Sequence, residues 1–216
     1  MVKIVIPFKP HNPKSRLSDV LSLEERNNLM NYMLLDVIDA VRECSEDVLV
    51  LSSGKIEFNV NCEVKEDSRS LDEAVNSVID ENVAIVMSDL PLLTPEVLKR
   101  FISCEGDVVI APGRRGGTNM LLVRDKKFRV SYHYGSMKKH LKIAEKLGLN
   151  VRIFDSFYAG VDIDDRNDLL ELMIHGKGRS RDYLEKIGFR VDYSSKDPAL
   201  CRIQKFKNQT AEKSTG

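Results

Sequence analysis

Short runs of β-branched residues alternate along most of the chain with segments whose apolar residues recur every three or four positions. The short runs are typical of buried strands, and the periodic segments are typical of helices with one apolar face. The pattern predicts strands near residues 2–6, 47–52, 62–65, 83–87, 107–111, 120–123 and 151–154. It predicts helices over residues 23–44, 71–79, 95–103 and 136–147 and around Leu169 to Met173. Strands that alternate with helices indicate an α/β fold with a mainly parallel sheet covered on both faces.

The pattern changes at Gly176-Lys-Gly178, which breaks the preceding helix. Residues 179–195 suggest one short helix and one strand, and the stretch from Lys205 has no apolar period, as expected of a frayed tail. We therefore predict one domain over residues 1–176 and a C-terminal extension over residues 177–216. Dimerisation is one expected role of that extension, and a homodimer is the expected assembly.

Composition narrows the class of protein. The 33 basic residues are balanced by 33 acidic ones, which argues against a general nucleic-acid binder. No apolar run reaches the roughly 18 residues of a membrane span, and no signal peptide precedes Val2. The four cysteines are widely spaced, as free thiols in a reducing cytoplasm are. We therefore expect a cytoplasmic protein with neither nucleic acid nor membrane as partner.

The first strand leads into a proline-rich cationic loop. We expect its three prolines to stop regular strand pairing, because proline has no backbone N–H and a fixed φ. These prolines are Pro7, Pro10 and Pro13. No acidic residue precedes Asp19, whereas the loop carries Lys9, Lys14 and Arg16. Ligands of α/β sheets bind at the carboxyl ends of the strands, so this loop suits a nucleotide. A solvated basic loop is the alternative.

Aspartates follow two predicted strand ends. Asp89 comes just after the apolar run 83–87, separated from it by Ser88, while Asp162 and Asp164 follow residues 158–161, which could also form a strand. Two aspartates from separate strand ends can share one Mg²⁺. Alternatively, Asp89 caps a turn and Asp162 caps a helix, and for Asp164 and Asp165 capping is the favoured interpretation.

Two glycine-containing stretches offer polar groups for a small anion. Thr118 and Asn119 follow Gly116-Gly117 in a predicted flexible loop, and Gly135-Ser136 opens a predicted helix, where free N–H groups favour anions. A surface hairpin with solvated Arg114 and Arg115, or an ordinary serine N-cap, would explain the same residues. The sequence has neither a P-loop nor a Gly-x-Gly-x-x-Gly or Gly-x-Ser-x-Gly motif, and its four histidines have no metal-ligand spacing.

Five motifs occur in the order of a known family. They are the opening Ile4-Val-Ile-Pro-Phe-Lys-Pro10 with Lys14-Ser-Arg-Leu17, Ser88-Asp-Leu-Pro91, Gly116-Gly-Thr-Asn119, Tyr132-His-Tyr-Gly-Ser136 with His140, and Gly160-Val-Asp-Ile-Asp164. Over about residues 1–175 the chain resembles the CofC family, the archaeal 2-phospho-L-lactate guanylyltransferases of deazaflavin coenzyme F-420 biosynthesis. The Asp-Leu-Pro turn is shared with many nucleotidyltransferases. The N-terminal loop with Gly-Gly-Thr-Asn and Gly-Ser is the specific part.

The resemblance implies a three-layer α/β/α fold with a mainly parallel mixed sheet, like that of nucleotide-diphospho-sugar transferases. It implies that Asp89 and Asp162 hold Mg²⁺. It also implies catalytic roles for Lys14, Arg16 and Asp89, and nucleotide contacts from Pro7, Lys9, Lys14, Arg16 and Ser88. The phosphorylated hydroxy acid would then meet Thr118, Asn119, Gly135 and Ser136.

The expected reaction joins GTP to 2-phospho-L-lactate, giving lactyl-2-diphospho-5′-guanosine and pyrophosphate. A phosphate nucleophile is already ionised at neutral pH, so positioning and charge neutralisation are enough for catalysis. One alternative is the same fold acting on another acceptor, such as phosphoenolpyruvate, molybdenum cofactor or a sugar phosphate. Another is a non-catalytic nucleotide-binding module, which has less use for the Asp89–Asp162 pair.

Overall fold

A seven-stranded sheet forms the centre of the protein in the computed structural model, which describes residues 2–11 and 14–203. The strands run in the order β3-β2-β1-β4-β6-β5-β7. Their bounds are β1 Lys3–Phe8, β2 Val48–Ser52, β3 Glu63–Glu66, β4 Val83–Val86, β5 Val108–Pro112, β6 Thr118–Val123 and β7 Val151–Ile153. Every paired neighbour is parallel except β6, which runs antiparallel to both β4 and β5.

Helices cover both faces of this sheet. Their bounds are α1 Leu23–Arg42, α2 Leu71–Asn76, α3 Pro95–Ile102, α4 Ser136–Leu147, α5 Phe157–Gly160, α6 Arg166–His175 and α7 Arg179–Lys186. Alternate residues of the strands enter two separate apolar cores. One core lies under α1, α3, α6 and α7, and the other lies under α2 and α4. The predicted three-layer α/β/α architecture with a mainly parallel mixed sheet is confirmed.

Local signals explain where several helices begin. Ser22 and Ser70 form capping boxes with Glu25 and Glu73, and Thr94 caps α3 ahead of Pro95. The helix α2 stops at Asn76, three residues before the predicted end. The expectation that Pro7 stops pairing was wrong, because β1 continues through Pro7 beside Leu51. Pairing with β4 ends at Val5, which leaves β1 one unpaired side that tolerates proline.

Two further expectations, both for the C-terminal third of the chain, were wrong. Residues 157–160 form the short helix α5 and not a strand. Beyond α7 lies a hairpin of β8, Phe189–Asp192, and β9, Ala199–Arg202, of which only the first strand was expected. Leu184, Phe189 and Leu200 all join the core under α1. The predicted tail from Lys205 and the effect of Pro13 lie outside the described residues.

Candidate active site

Lys14 lies at the carboxyl edge of the sheet, between two carboxylates. Its ammonium donates to Asp164 Oδ1 at 2.5 Å and to Asp89 Oδ2, and only 10% of the side chain is exposed. Burial acts to lower the pKa of Lys14, but Asp89 and Asp164 outweigh burial and raise it, so the lysine stays charged. Arg16, two residues on, reaches Asp164 Oδ2 at 3.4 Å from a largely exposed position.

Three aspartates converge beside this lysine. One carboxylate oxygen from each of Asp89, Asp162 and Asp164 lies within 4.8 Å of the other two. A backbone hydrogen bond from Ile163 N–H to Asp89 C=O, 3.1 Å long, joins the two segments that carry them. Asp164 is therefore not a helix cap, contrary to expectation. Asp165 is the residue that caps α6.

Asn119 orients Asp162. Its amide Nδ2 donates to Ala159 C=O at 3.1 Å and lies 3.4 Å from Asp162 Oδ1. A Cβ at Gly113 would overlap the Asn119 carboxamide, so glycine makes room for this contact. Because β6 is antiparallel, its first residues reach the edge where the parallel strands end. Thr118 and Asn119 consequently belong to a strand, and not to the flexible loop that was expected.

The carboxylate cluster suits a hard divalent cation. Burial, followed by the charges of Asp89 and Asp164, raises the pKa of Asp162, which shows that these negative groups are crowded. Lys14 neutralises part of that charge. Carboxylate oxygens are the ligands that Mg²⁺ prefers, so the donor set fits that ion.

Two cavities open on either side of the cluster and share Arg16 and Asp164 as a common wall. The larger one, about 680 Å³, lies over the ends of β1, β2 and β4. Its lining includes every predicted nucleotide contact: Pro7, Lys9, Lys14, Arg16 and Ser88. The smaller one, about 440 Å³, is lined by Gly135 and Ser136 together with Asp162.

Thr118 and Asn119 line neither cavity. Thr118 is buried, and its hydroxyl lies 3.0 Å from His140 Nδ1. His140 Nε2 accepts the Ser131 N–H at 3.0 Å, so the neutral ring carries its proton on Nδ1 and donates to Thr118. Burial lowers the pKa of His140 to about 4, which keeps the ring neutral. His140 is therefore a buried packing residue, which agrees with the lack of metal-ligand spacing among the histidines.

Ser136 is the first residue of α4 and not its N-cap. Gly135 takes the cap position with φ 68°, a left-handed conformation that glycine adopts without strain. Gly135 has no side chain with which to cap the helix, so it leaves the first N–H groups of α4 available beside the smaller cavity.

A pair of arginines and a buried aspartate, all of which line the smaller cavity, have a role that the sequence did not indicate. Asp168 Oδ2 accepts the N–H groups of Asp164 and Asp165, both at 2.9 Å, and its other oxygen pairs with Arg114. Arg115 pairs with Asp165 at 2.6 Å and lowers the pKa of that carboxyl. These contacts fix the backbone that presents Asp164. Residues 54 positions apart form the Arg114–Asp168 pair, so no local pattern could have revealed it.

The fold and site define a class. The structure aligns with one from Desulfovibrio desulfuricans G20, described as a nucleotide-diphospho-sugar transferase, with TM-score 0.72 and 16% identity over 86% of this chain and 95% of that one. It also aligns with a nucleotidyl transferase from Methanothermobacter, with TM-score 0.52 and 12% identity over 85% and 99% of the two chains. The fold is therefore that of the nucleotidyltransferases.

Sequence comparison identifies the family within that class. The chain matches the family described as "Guanylyl transferase CofC like" over residues 2–205, and it belongs to that family. It is 57% identical to the 2-phospho-L-lactate guanylyltransferase of Ferroglobus placidus, over 93% of this chain and 100% of the relative. It is 58% identical to that of Archaeoglobus fulgidus, over 89% and 93%. The predicted family is confirmed, and the match extends beyond about residue 175, where the resemblance noted in the sequence ends.

Proposed function

We propose that this enzyme is a 2-phospho-L-lactate guanylyltransferase, which acts in deazaflavin coenzyme F-420 biosynthesis. It joins GTP and 2-phospho-L-lactate to give lactyl-2-diphospho-5′-guanosine and pyrophosphate. The observation that carries this proposal is the pair of cavities with a charged common wall, because a two-substrate transfer needs two adjoining sites. Relatives of this name that match nearly the whole chain support the same assignment.

The larger cavity is assigned to GTP and the smaller one to the phosphorylated acid. Lys14 and Arg16 face the larger cavity beside Asp89, where they would bind nucleotide phosphates. Gly135, Ser136 and the uncapped first turn of α4 offer N–H and hydroxyl donors for the acid. Thr118 and Asn119 act on this pocket indirectly: Asn119 contacts Asp162 of its lining, and Thr118 contacts His140, which packs against Tyr132 of its lining.

Transfer begins when a phosphate oxygen of phospholactate attacks the α-phosphorus of GTP. A new P–O bond forms as the bond to the β-phosphate oxygen breaks, and pyrophosphate leaves. A phosphate monoester is largely dianionic at neutral pH, since its second pKa is about 6, so the reaction needs no general base. Lys14 and Arg16 stabilise the negative charge that gathers on the transferring phosphoryl group and on pyrophosphate.

Asp89, Asp162 and Asp164 are the residues that would hold Mg²⁺. When bound, this ion neutralises phosphate charge and polarises phosphoryl oxygens. Asn119 and Asp168 keep Asp162 and Asp164 in position for that role, through the contacts described above.

A pyrophosphate-release assay tests the reaction. It crosses the four nucleoside triphosphates with 2-phospho-L-lactate, phosphoenolpyruvate and phosphoglycerate, each with Mg²⁺ and with chelator. We expect the highest rate with GTP and phospholactate, and loss of the rate in chelator. A preference for another acid would keep the enzyme class and replace the substrate, while no release from any pair would overturn the proposal.

The assignment of the two cavities has its own test. Ser136→Ala should raise the KM for the acid several-fold and leave the KM for GTP nearly unchanged, because Ser136 lines only the smaller cavity. Ser103→Ala, which changes an exposed serine at the end of α3 outside both cavities, serves as the control. A rise confined to the KM for GTP would show that the two pockets are assigned the wrong way round.

We also propose a cytoplasmic homodimer. Four free cysteines with no disulfide among the described residues support a reducing compartment. No helix in the described part of the chain is long and apolar enough to cross a membrane. Light scattering on the purified protein tests the dimer, for which a mass near twice 24.5 kDa is expected.

A further inference from the structure

The larger cavity has two chemically different ends. Lys14 and Asp89 line the end near β4, and the opposite end lies beyond β2 and β3. Three strand spacings separate β4 from β3 in the sheet, which places the two ends about 14 Å apart. With the phosphates at Lys14, the opposite end is left for the base. Its lining consists of Leu51, Ser53, Asp67, Arg69, Leu71 and Ala74.

An ion pair of fixed geometry stands at that far end. Arg69 Nε donates to Asp67 Oδ1 at 2.9 Å, and Arg69 Nη2 donates to Asp67 Oδ2 at 2.5 Å. The Arg69 backbone N–H also reaches Asp67 Oδ1 at 3.2 Å, and Asp67 N–H donates to Ser52 C=O at 2.8 Å. The Asp67 side chain is 7% exposed, whereas that of Arg69 is 51% exposed. The guanidinium is thus clamped from one side and open on the other.

The ion pair with Asp67 determines which N–H groups of Arg69 remain to bind a ligand. A guanidinium has five N–H groups, and Asp67 takes one from Nε and one from Nη2. The outer edge keeps two parallel N–H groups, one on Nη1 and one on Nη2. Hydrogen bonding to Arg69 lowers the pKa of Asp67 to about 2, so the clamp is charged at every pH where the enzyme would work.

Two parallel donors match guanine and mismatch adenine. Guanine presents two acceptors, N7 and O6, along one edge, whereas adenine presents the acceptor N7 beside the donor N6 amine. Leu71 is 41% exposed and, with Leu51 and Ala74, offers apolar surface for the face of a flat base. We propose that Arg69, held by Asp67, is a specificity-determining residue that selects guanine by its O6/N7 edge. This inference rests on the proposed guanylyl transfer.

Base analogues locate the contact atom by atom. ITP keeps O6 and N7 but lacks the 2-amino group, and 7-deaza-GTP lacks N7. For the wild type we expect ITP to be used within about threefold of GTP, and 7-deaza-GTP and ATP to be used about tenfold less well or worse, the discrimination of a bidentate contact. An ITP rate as low as that of ATP would place recognition on the 2-amino group and overturn the proposal.

Variants of Arg69 complete the test. Arg69→Ala and Arg69→Lys should each lower the ratio of kcat/KM for GTP to that for ATP about tenfold, remove the difference between GTP and 7-deaza-GTP, and leave the KM for the acid unchanged. Arg152→Ala, on the opposite edge strand β7, is the matched control. An unchanged GTP-to-ATP ratio in both folded Arg69 variants would show that the ion pair only shapes the β3–α2 turn.

Failure of the proposed function gives a different result. A wild-type enzyme that releases no pyrophosphate from GTP with any acid would overturn guanylyl transfer itself. In that case calorimetry with the magnesium complexes of GTP, ITP and ATP still tests the base contact. Preferential GTP binding that Arg69→Ala abolishes would support the contact, and equal binding of GTP and ATP would overturn it.

Discussion

Lys14 and Arg16 are close in sequence, yet they occupy different environments. Lys14 is nearly buried between two carboxylates, while Arg16 is 61% exposed and lies 3.4 Å from Asp164 Oδ2. A preorganised charge that is shielded from water stabilises a transition state more than one in solvent does. Removal of Lys14 should therefore lower kcat/KM more than removal of Arg16.

We expect Lys14→Ala to lower kcat/KM for GTP by about 100-fold or more, and Arg16→Ala to lower it by about tenfold. Steady-state pyrophosphate release measures both values. Lys126→Ala, an exposed lysine outside both cavities, is the control for a lost positive charge. Values within about threefold of wild type for both variants would mean that this stretch is only a solvated surface.

Asp89 is the residue whose role the sequence indicates best. Asp89→Asn keeps the side-chain volume but removes a negative charge, which belongs to the carboxylate cluster and pairs with Lys14. We expect at least a 100-fold loss of transfer with a nearly unchanged melting temperature, and a large loss for Asp162→Asn. Asp182→Asn, on the exposed side of α7, is the control. An Asp89→Asn enzyme that still turns over in a Mg²⁺-dependent way would contradict the assignment.

At the scale of elements, the site could be predicted only in part, because some of its residues are brought together by long-range contacts and by the pairing of β6. Asp89 lies just after a continuous apolar run, so its position at a strand end follows from the sequence. Asp164 meets Lys14 across 150 residues, and Asp168 meets Arg114 across 54, and no periodicity encodes such contacts. Thr118 and Asn119 follow glycines, which suggested a loop, but pairing with β5 and β4 draws them into the sheet.

His140 couples α4 to β6 and makes the stability of the fold depend on pH. An unfolded histidine has a pKa near 6.5, and burial lowers the pKa of His140 to about 4. The folded state therefore binds fewer protons than the unfolded state between these values. The stabilisation is complete above about pH 6.5 and is lost as the pH falls towards 4.

We expect the free energy of unfolding contributed through His140 to fall by up to about 1.4 kcal/mol per pH unit in that window. Urea unfolding at pH 7, 6 and 5 measures it, and His140→Gln removes the titrating group. The difference between the two proteins should shrink as the pH is lowered. Parallel curves would mean that His140 does not titrate with folding.

For the whole molecule, the C-terminal segment joins the same core as the rest of the chain. Asp36 of α1 accepts the N–H groups of Arg179 at 2.7 Å and Ser180 at 3.0 Å, which anchors the start of α7. Leu184, Phe189 and Leu200 bury their side chains in the core under α1. The predicted boundary at residue 176 is thus open to a direct test.

We expect a chain ending at residue 176 to lose about 5 kcal/mol or more of its free energy of unfolding, since three large apolar side chains leave the core. A chain ending at residue 203 is the matched control. Chemical denaturation of both proteins measures the difference. An equal midpoint for the two would support residues 177–203 as a separable extension.

The wall that the two cavities have in common has a consequence for the release of product. Arg16 and Asp164 belong to both cavities, so a product that unites the two halves fills them together as a single tethered ligand. Such a ligand leaves only when both halves detach at once. With GTP and the acid in these two cavities, as proposed, we expect accumulated product to compete with each substrate, so the arrangement that brings the reactants together would also limit turnover.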